Sequence, residues 1–169
     1  MKSLKKWTAF LLAAVMALAM LTACGGGGGG GNSLSEKERY IRGINNYLHG
    51  LNSSYKELSY DRTVDEQAKT YQDKYERYNK VEPEKDAVAD AKKVAGITDG
   101  NYRVLQLNVD KGFSNNDKIR FIGSQIKREL GDSALLYGEW KIGYVWGAND
   151  SKKSYQPIYI VLKITNAKG

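Results

Sequence analysis

Histidine and cysteine are almost absent from this chain, which has one of each among its 169 residues, His49 and Cys24. A single cysteine cannot form a disulfide within the chain, so the fold must be held together by packing. A single histidine excludes any metal site that needs two histidine ligands, and a nucleophilic triad would have to use His49. The position of His49, beside Gly50 at the expected end of a helix, favours a surface or capping role.

The apolar run at the N-terminal end is too short to span a bilayer comfortably. Three lysines precede this run, which extends from Trp7 to Met20 and ends in Leu21-Thr22-Ala23-Cys24. A positive segment, a short apolar run and a small-residue cleavage site form an export signal. The tetrapeptide resembles the lipobox of bacterial lipoproteins, which implies lipidation of Cys24, cleavage before it and acylation of the new N-terminus, for example with palmitate. Residues 1–23 are therefore expected to be a lipoprotein signal peptide.

A run of seven glycines, Gly25–Gly31, follows the cysteine. Such a run cannot pack a core, and its coil spans about 15 Å root-mean-square. We therefore interpret residues 24–33 as a lipidated cysteine and a tether, which keeps the folded part close to a membrane but free to reorient. The expected location is the extracytoplasmic face of the cell membrane. Lipidation of Cys24 also removes the one thiol that could act as a nucleophile.

The positive charge of the chain is modest and dispersed. The net charge is +7, from 26 basic and 19 acidic residues, and three of the basic residues leave with the leader, which lowers the excess to +4. Interspersed charges are typical of a solvated surface, here near an anionic membrane. Nucleic-acid binding would need a concentrated basic face, and export also argues against it. The partners that remain are the membrane, reached through the lipid on Cys24, and an extracellular ligand or protein.

Hydrophobic periodicity and capping signals predict four helices in the single domain that we expect over residues 34–167. Two capping boxes, Ser35–Glu38 and Thr63–Glu66, open the first two helices. The predicted inward residues are Ile41, Ile44, Leu48 and Leu51 in the first helix; Val64, Ala68, Tyr71, Tyr75 and Tyr78 in the second; Ala87, Val88, Ala91, Val94 and Ala95 in the third, which Gly96 stops; and Ile119, Ile122, Ile126 and Leu130 in the fourth, which Gly131 closes.

Alternation of polar and apolar residues predicts three strands. One covers Tyr102–Val109, and the other two form a long antiparallel hairpin around the loop Gly147–Ser154. The element order predicts an α+β fold, a layered α-β-α sandwich of about four helices around a small three-stranded, mainly antiparallel sheet.

Two groups of residues, near the beginning and the end of this domain, follow a known pattern. The first is Tyr40–Leu51, followed by Leu58, Asp61, Val64, Ala68 and Tyr71; the second is Ala134–Leu136, Trp140–Tyr144 and Tyr159–Val161. Together they resemble the CAP superfamily of cysteine-rich secretory (SCP-like), antigen 5 and pathogenesis-related proteins. Members of this family typically have a first helix that carries Asn-x-x-Arg followed by Gly-Leu, then a Leu-x-x-Asp link, a second helix and a closing hairpin. The resemblance implies a degenerate CAP domain.

The chain departs from the family at the site that CAP domains usually present, a cleft with two histidines and two carboxylates that can bind a divalent metal. The expected histidine positions fall among Tyr78–Lys80 and near Leu130–Gly131, and Gln106 lies close to the position of a family glutamate. We therefore expect no metal and no cofactor. The resemblance implies a cleft that has become either a tyrosine-lined groove or packed core.

Five side chains are the candidate ligand-binding residues. Tyr71, Tyr75 and Tyr78 share one face of the second helix, and Gln106 lies on the neighbouring strand. A tyrosine face suits a half-wet groove because the ring packs while the hydroxyl stays hydrated. The same spacing is typical of a helix core, so both interpretations stay open. Glu139 is the best isolated carboxylate, and a strand-end residue that faces water is the alternative.

Three functions remain, and no catalytic residue is assigned. The absence of every standard catalytic set favours a non-catalytic, CAP-like binding module for a cell-surface or extracellular ligand, such as a peptide, glycan or lipid. A cell-surface hydrolase that uses paired carboxylates is one alternative, and it requires two acidic residues that converge in a cleft. A structural lipoprotein that acts through a protein partner is the other.

Overall fold

The computed structural model describes residues 34–81, 83–97 and 100–166. The predicted signal peptide, Cys24, the glycine tether and residue 167 lie outside the described residues. In chain order the elements are α1 (Glu36–Leu51), β1 (Ser59–Tyr60), α2 (Arg62–Tyr78), α3 (Glu84–Val94), β2 (Tyr102–Asp110), α4 (Asn115–Tyr137), β3 (Glu139–Trp146) and β4 (Tyr155–Asn166). Within these ranges the fold is α+β, with four helices and one mixed sheet, which confirms the predicted class.

The sheet has the strand order β1-β3-β4-β2. The inner strand β4 pairs antiparallel with both of its neighbours, β3 and β2, which confirms the predicted hairpin and the mainly antiparallel sheet. The prediction of three strands is wrong, because Ser59 and Tyr60 form a fourth strand parallel to β3. A strand of two residues is too short to show the alternation of polar and apolar residues from which strands are predicted.

The helix α1 begins at the predicted capping box and holds the link to β1. Ser35 Oγ accepts from the Glu38 backbone N–H at 3.2 Å, and Glu38 Oε2 accepts from the Ser35 N–H at 2.7 Å. The buried Asn45 donates its amide to Leu58 O at 2.9 Å and accepts from Leu58 N at 3.0 Å. These two bonds fasten the segment before β1 to α1. Leu51, predicted to face inward, is exposed because it is the last residue of the helix.

The helix α2 begins before its predicted start. Asp61 rather than Thr63 is the cap, and Asp61 Oδ1 accepts from the backbone N–H groups of Thr63 and Val64 at 2.9 and 3.1 Å. An aspartate caps as well as a serine or threonine, and its charge is favoured at a helix N-terminus. Four residues of the predicted inward stripe are buried: Val64, Ala68, Tyr71 and Tyr75.

Glycines mark the ends of the last two helices in different ways. Gly96, with a φ of 70°, follows α3 as its predicted stop, whereas Val94, predicted to face inward in the last turn of α3, is exposed. Gly131 has a φ of 75° but does not close α4, which resumes after a kink and continues to Tyr137. Gly131 does adopt the positive φ that a helix-stopping glycine is expected to have. The prediction failed because the next turn packs the fully buried Leu135 into the core.

Each face of the sheet is covered by two helices. One face packs on α1 and α4 through a first cluster that includes Ile44 and Ile126. The other face packs on α2 and α3 through a second cluster that includes Ala68 and Ala91. Alternate residues of β4 enter opposite clusters, and Tyr159 enters the second. This arrangement is the α-β-α layering predicted from the element order.

Candidate functional site

Three tyrosine rings form one cluster between α2 and the sheet. Tyr71 and Tyr75 are stacked along α2, with ring centroids 5.9 Å apart and planes 9° apart. The ring of Tyr159 in β4 lies 6.3 Å from Tyr71 and 6.1 Å from Tyr75 at steeper angles. Each such pair contributes about 0.5–1.5 kcal/mol beyond the area it buries. The three rings therefore form a rigid wall at the edge of the second cluster.

Gln106 joins this wall from β2. It lies opposite Tyr159 in the strand register, and its Nε2 donates a hydrogen bond to Tyr71 Oη. Tyr71 is only 1% exposed, and burial raises its pKa to about 12. Its hydroxyl therefore stays protonated at neutral pH and serves as a hydrogen-bonding group rather than as a base.

A pocket of about 310 Å³ lies beside these rings, and we call it the tyrosine pocket. It is lined by Tyr75, Glu84, Gln106, Leu107, Asn108, Lys153, Tyr155, Pro157 and Tyr159. Tyr75 Oη donates to Glu84 Oε1 at 3.4 Å, and Lys153 Nζ lies 5.5 Å from the centroid of the Tyr155 ring. The volume is at the lower end of the range for small-molecule sites. The tyrosine pocket thus combines aromatic walls with one carboxylate and one ammonium group.

The structure brings only part of the predicted site into this pocket. Tyr75 and Gln106 line it. Tyr71 lies behind them in the core, and Tyr78 is half-buried against the second cluster. The two interpretations of the tyrosine face, groove and core, therefore each describe a part of it.

Glu139 lies away from the tyrosine pocket, at the start of β3. Asn166 Nδ2 donates to Glu139 Oε2 at 2.9 Å, and Lys56 Nζ is 4.0 Å from Glu139 Oε1. Val145, which pairs with Tyr159, is six residues further along β3, a distance of about 20 Å at the rise of a strand. The structure therefore places Glu139 as an exposed strand-end residue, apart from the tyrosines.

The β4 side of the pocket wall was not among the predicted site residues. Tyr155, Pro157 and Tyr159 are alternate residues of β4 and all line the tyrosine pocket. The signal was present, because the alternation that puts Ile158 and Ile160 on one face puts these three on the other. The sequence pattern does not show which helix covers that second face.

The other predicted features give no second set of reactive groups. His49 Nε2 lies 2.8 Å from Tyr55 O, beside the end of α1. Among the described residues, no group of three or more histidine, cysteine, aspartate or glutamate side chains is placed to hold a metal ion. The same part of the chain has no helix with the length and apolar character needed to cross a membrane.

Comparison with known proteins finds no match to this chain among family models, curated proteins or solved structures. The lipobox and the likeness to the CAP superfamily therefore stay predictions from the sequence.

Proposed function

We propose that the protein is a lipid-anchored, extracytoplasmic lipoprotein whose folded domain is a non-catalytic binding module for a cell-surface or extracellular ligand. The single observation that carries the binding role is the tyrosine pocket, in which packed aromatic rings meet amide and charged groups that can orient a ligand. Tyr75 and Tyr159 are 9% and 5% exposed and form a packed back wall, which already holds its shape before a ligand binds. The half-buried Tyr155 and Pro157 offer apolar area to a ligand. Gln106 and Asn108 supply exposed amide groups for hydrogen bonds.

The anchor and the family are parts of the same proposal and are supported by the sequence. The tetrapeptide that ends at Cys24 supports lipidation, and the seven glycines after it support a domain held near a membrane. The α-β-α layers and the closing β3–β4 hairpin are compatible with a degenerate CAP domain. Such a domain would have no metal chemistry, because Tyr78–Lys80 and Leu130–Gly131 occupy the expected histidine positions.

The charged groups of the described pockets favour a binding module over a hydrolase that uses paired carboxylates. Glu84 is the one carboxylate among the described residues that line the tyrosine pocket, and the Tyr75 hydroxyl donates to it. Another pocket does contain two carboxylates, Glu38 and Glu57. Hydrogen bonds from Ser35 lower the pKa of Glu38, whereas a general acid needs a raised pKa.

The binding role can be tested with the mature chain carrying Cys24→Ser, which keeps it in solution. The immobilised chain is exposed to a muramidase digest of cell walls and to culture medium, and the retained material is analysed by mass spectrometry. We expect Tyr155→Ala to abolish retention of at least one species that the unsubstituted chain holds, because it removes a half-buried ring of the pocket wall. The matched control is Tyr137→Ala, which removes a ring that is 64% exposed and outside the pocket.

Two results would contradict this proposal. Retention of every such species by Tyr155→Ala would show that the tyrosine pocket is not the site. Turnover of a chromogenic glycoside or ester that is lost in Glu57→Gln would support the hydrolase instead, since the carboxylate pair would then be required.

The anchor makes its own prediction in the full-length chain. Cys24→Ser is expected to release the protein into the medium or leave it unprocessed, because the lipid thioether cannot form. Cell fractionation and the mass of the N-terminal peptide measure this outcome. Ser33→Ala, outside the lipobox, serves as the control and should stay with the membrane. Unchanged membrane retention of Cys24→Ser would refute the anchor.

A further inference from the structure

A second and larger pocket lies on the opposite face of the sheet, where the N-terminal ends of α1 and α4 meet the β3–β4 hairpin. It has a volume of about 700 Å³. Tyr40, Tyr144 and Trp146 form its floor, and Arg39 and Lys118 stand at its rim; we call it the aromatic groove. The proposed function uses none of these residues.

The floor of the aromatic groove is an assembled set of rings. The centroid of the Tyr40 ring lies 5.5 Å from that of Tyr144 at 39°, and 6.4 Å from that of Trp146 at 78°. Tyr144 is buried, whereas Tyr40 and Trp146 are half-buried. The rings are therefore packed against one another before any ligand arrives, which lowers the entropy cost of binding.

An ion pair behind the floor fixes it in place. Lys37 Nζ lies 2.6 Å from Asp65 Oδ2 and donates to Tyr144 O at 3.0 Å. The Tyr144 backbone N–H donates to Asp65 Oδ1 at 3.2 Å. The pair thus joins α1, α2 and β3 at one point and holds the backbone of the floor. Charge-assisted hydrogen bonds of this kind are roughly twice as strong as bonds between neutral groups.

The rim of the aromatic groove carries an excess of positive charge. The side chains of Arg39 and Lys118 have no ion-pair partner among the residues that the structure describes. Glu36 is the one acidic residue among the described lining residues, and Asn115 and Gln156 add amide groups. The rim therefore suits a ligand that combines hydroxyl groups with negative charge.

We propose that the aromatic groove binds an oligosaccharide that carries carboxylates. The C–H face of a pyranose ring is weakly positive and stacks on the negative face of an aromatic ring, here Tyr40 or Trp146. A carboxylate on the sugar pairs with Arg39 and Lys118. A phosphate ion would use the two cations but not the floor, and a proline-rich peptide would use the floor but not the cations. The site is separate from the tyrosine pocket and stands independently of the function proposed for it.

Trp146 provides the signal for a direct test. The other tryptophan of the described residues, Trp140, is buried, and its indole N–H donates to Ala134 O at 3.0 Å. The mature chain with Cys24→Ser is titrated with tetragalacturonate, with a muramic-acid tetrasaccharide and with neutral chitotetraose, while tryptophan fluorescence is recorded. We expect a saturable change in fluorescence with at least one acidic sugar. The affinity for chitotetraose should be at least about 10-fold lower than the affinity for that acidic sugar.

Variants separate the two parts of the aromatic groove. The double variant Arg39→Ala and Lys118→Ala should weaken acidic-sugar binding about 10-fold or more and leave chitotetraose unaffected. Trp146→Ala, measured by calorimetry, should abolish binding of every sugar. Tyr137→Ala, which removes an exposed ring outside both pockets, is the control and should change neither the acidic-sugar affinity nor the chitotetraose affinity.

Several results would overturn the inference. These are the absence of saturable binding of both acidic sugars up to about 5 mM, and full acidic-sugar affinity in the double variant. Displacement of the bound sugar by equimolar inorganic phosphate would show an anion site instead. Tighter binding of a decaproline peptide would show a peptide site. Loss of sugar binding in Tyr155→Ala alone would assign the sugar to the tyrosine pocket.

Discussion

At the scale of single residues, two tyrosine hydroxyls that are both buried have different surroundings. Tyr71 Oη accepts a hydrogen bond from the Gln106 amide, whereas Tyr40 Oη has no hydrogen-bond partner among the described residues. A buried polar group without a partner costs about 1–3 kcal/mol. Tyr40 therefore contributes to the fold through its ring contacts with Tyr144 and Trp146.

This difference predicts opposite effects for one change of chemistry. Tyr40→Phe should leave the free energy of unfolding unchanged or raise it by about 1 kcal/mol, because it removes a hydroxyl that forms no bond. Tyr71→Phe should lower it by about 1 kcal/mol, since a made bond is lost. Urea unfolding of both variants measures the pair. A larger loss in Tyr40→Phe than in Tyr71→Phe would contradict the assignment.

Tyr75 belongs to the core and to the tyrosine pocket at once. It is 9% exposed and stacked on Tyr71. Tyr75→Ala should therefore cost about 3 kcal/mol in the free energy of unfolding, as expected for an aromatic ring removed from a core. Tyr137→Ala is the matched control and should cost almost nothing. A cost below about 1 kcal/mol for Tyr75→Ala would mean that the ring only lines the pocket.

At the scale of elements, α2 packs directly on β3 without a side chain between the two backbones. A Cβ atom on Gly143 would overlap the backbone of Val64 and Asp65. Asp65 also accepts a hydrogen bond from Tyr144 N at 3.2 Å. The first turn of α2 and the middle of β3 therefore form one joint, in which backbone meets backbone.

A methyl group at this joint should separate the two elements. Gly143→Ala is expected to lower the free energy of unfolding by at least about 2–3 kcal/mol, because the backbone of α2 has to move. Gly50→Ala is the control, since a Cβ there meets nothing within 4 Å. It should be neutral or stabilise α1 by up to about 1 kcal/mol. Thermal unfolding compares them, and equal melting temperatures would contradict the close contact.

Elements were predictable where a signal is local and repeated. The stripe of α2 and the alternation in β3 and β4 gave the correct element types, because each side of a helix or strand recurs at a fixed spacing. A predicted boundary was wrong where two nearby residues could each act as the helix N-cap, as with Asp61 and Thr63 at the start of α2. The continuation of α4 beyond Gly131 and the short β1 depend on packing against distant residues, so no local pattern indicates them.

At the scale of the whole molecule, buried phenols occur on both faces of the sheet. Burial raises the pKa of Tyr40 and of Tyr71 to about 12 and raises those of Tyr144 and Tyr159 well above 10. The phenol is neutral when protonated, so the folded state favours the proton. The corresponding stability is complete below about pH 10 and is lost as the pH rises through about 12.

The protein is therefore expected to unfold cooperatively in alkali. The part of the tyrosinate absorbance that comes from the buried phenols should appear together with the change in circular dichroism between about pH 10 and 12, because ionisation of these phenols requires their exposure. Tyr71→Phe should lessen the loss of stability in alkali, since it removes one buried phenol that can ionise. Full ionisation of all tyrosines while the circular dichroism stays native would contradict their burial.

The sequence alone determined the exclusions and the long elements. One histidine and one cysteine rule out two-histidine metal sites and an intrachain disulfide whatever the fold, because both conclusions need only a count. Helices and strands followed from periodicity, which depends on near neighbours. Only the tertiary structure decided that Tyr71 is core while Tyr75 lines a pocket, and that Tyr40 meets Trp146 across the first cluster. Those contacts join residues far apart in the chain, and their positions are set by how the helices pack on the two faces of the sheet.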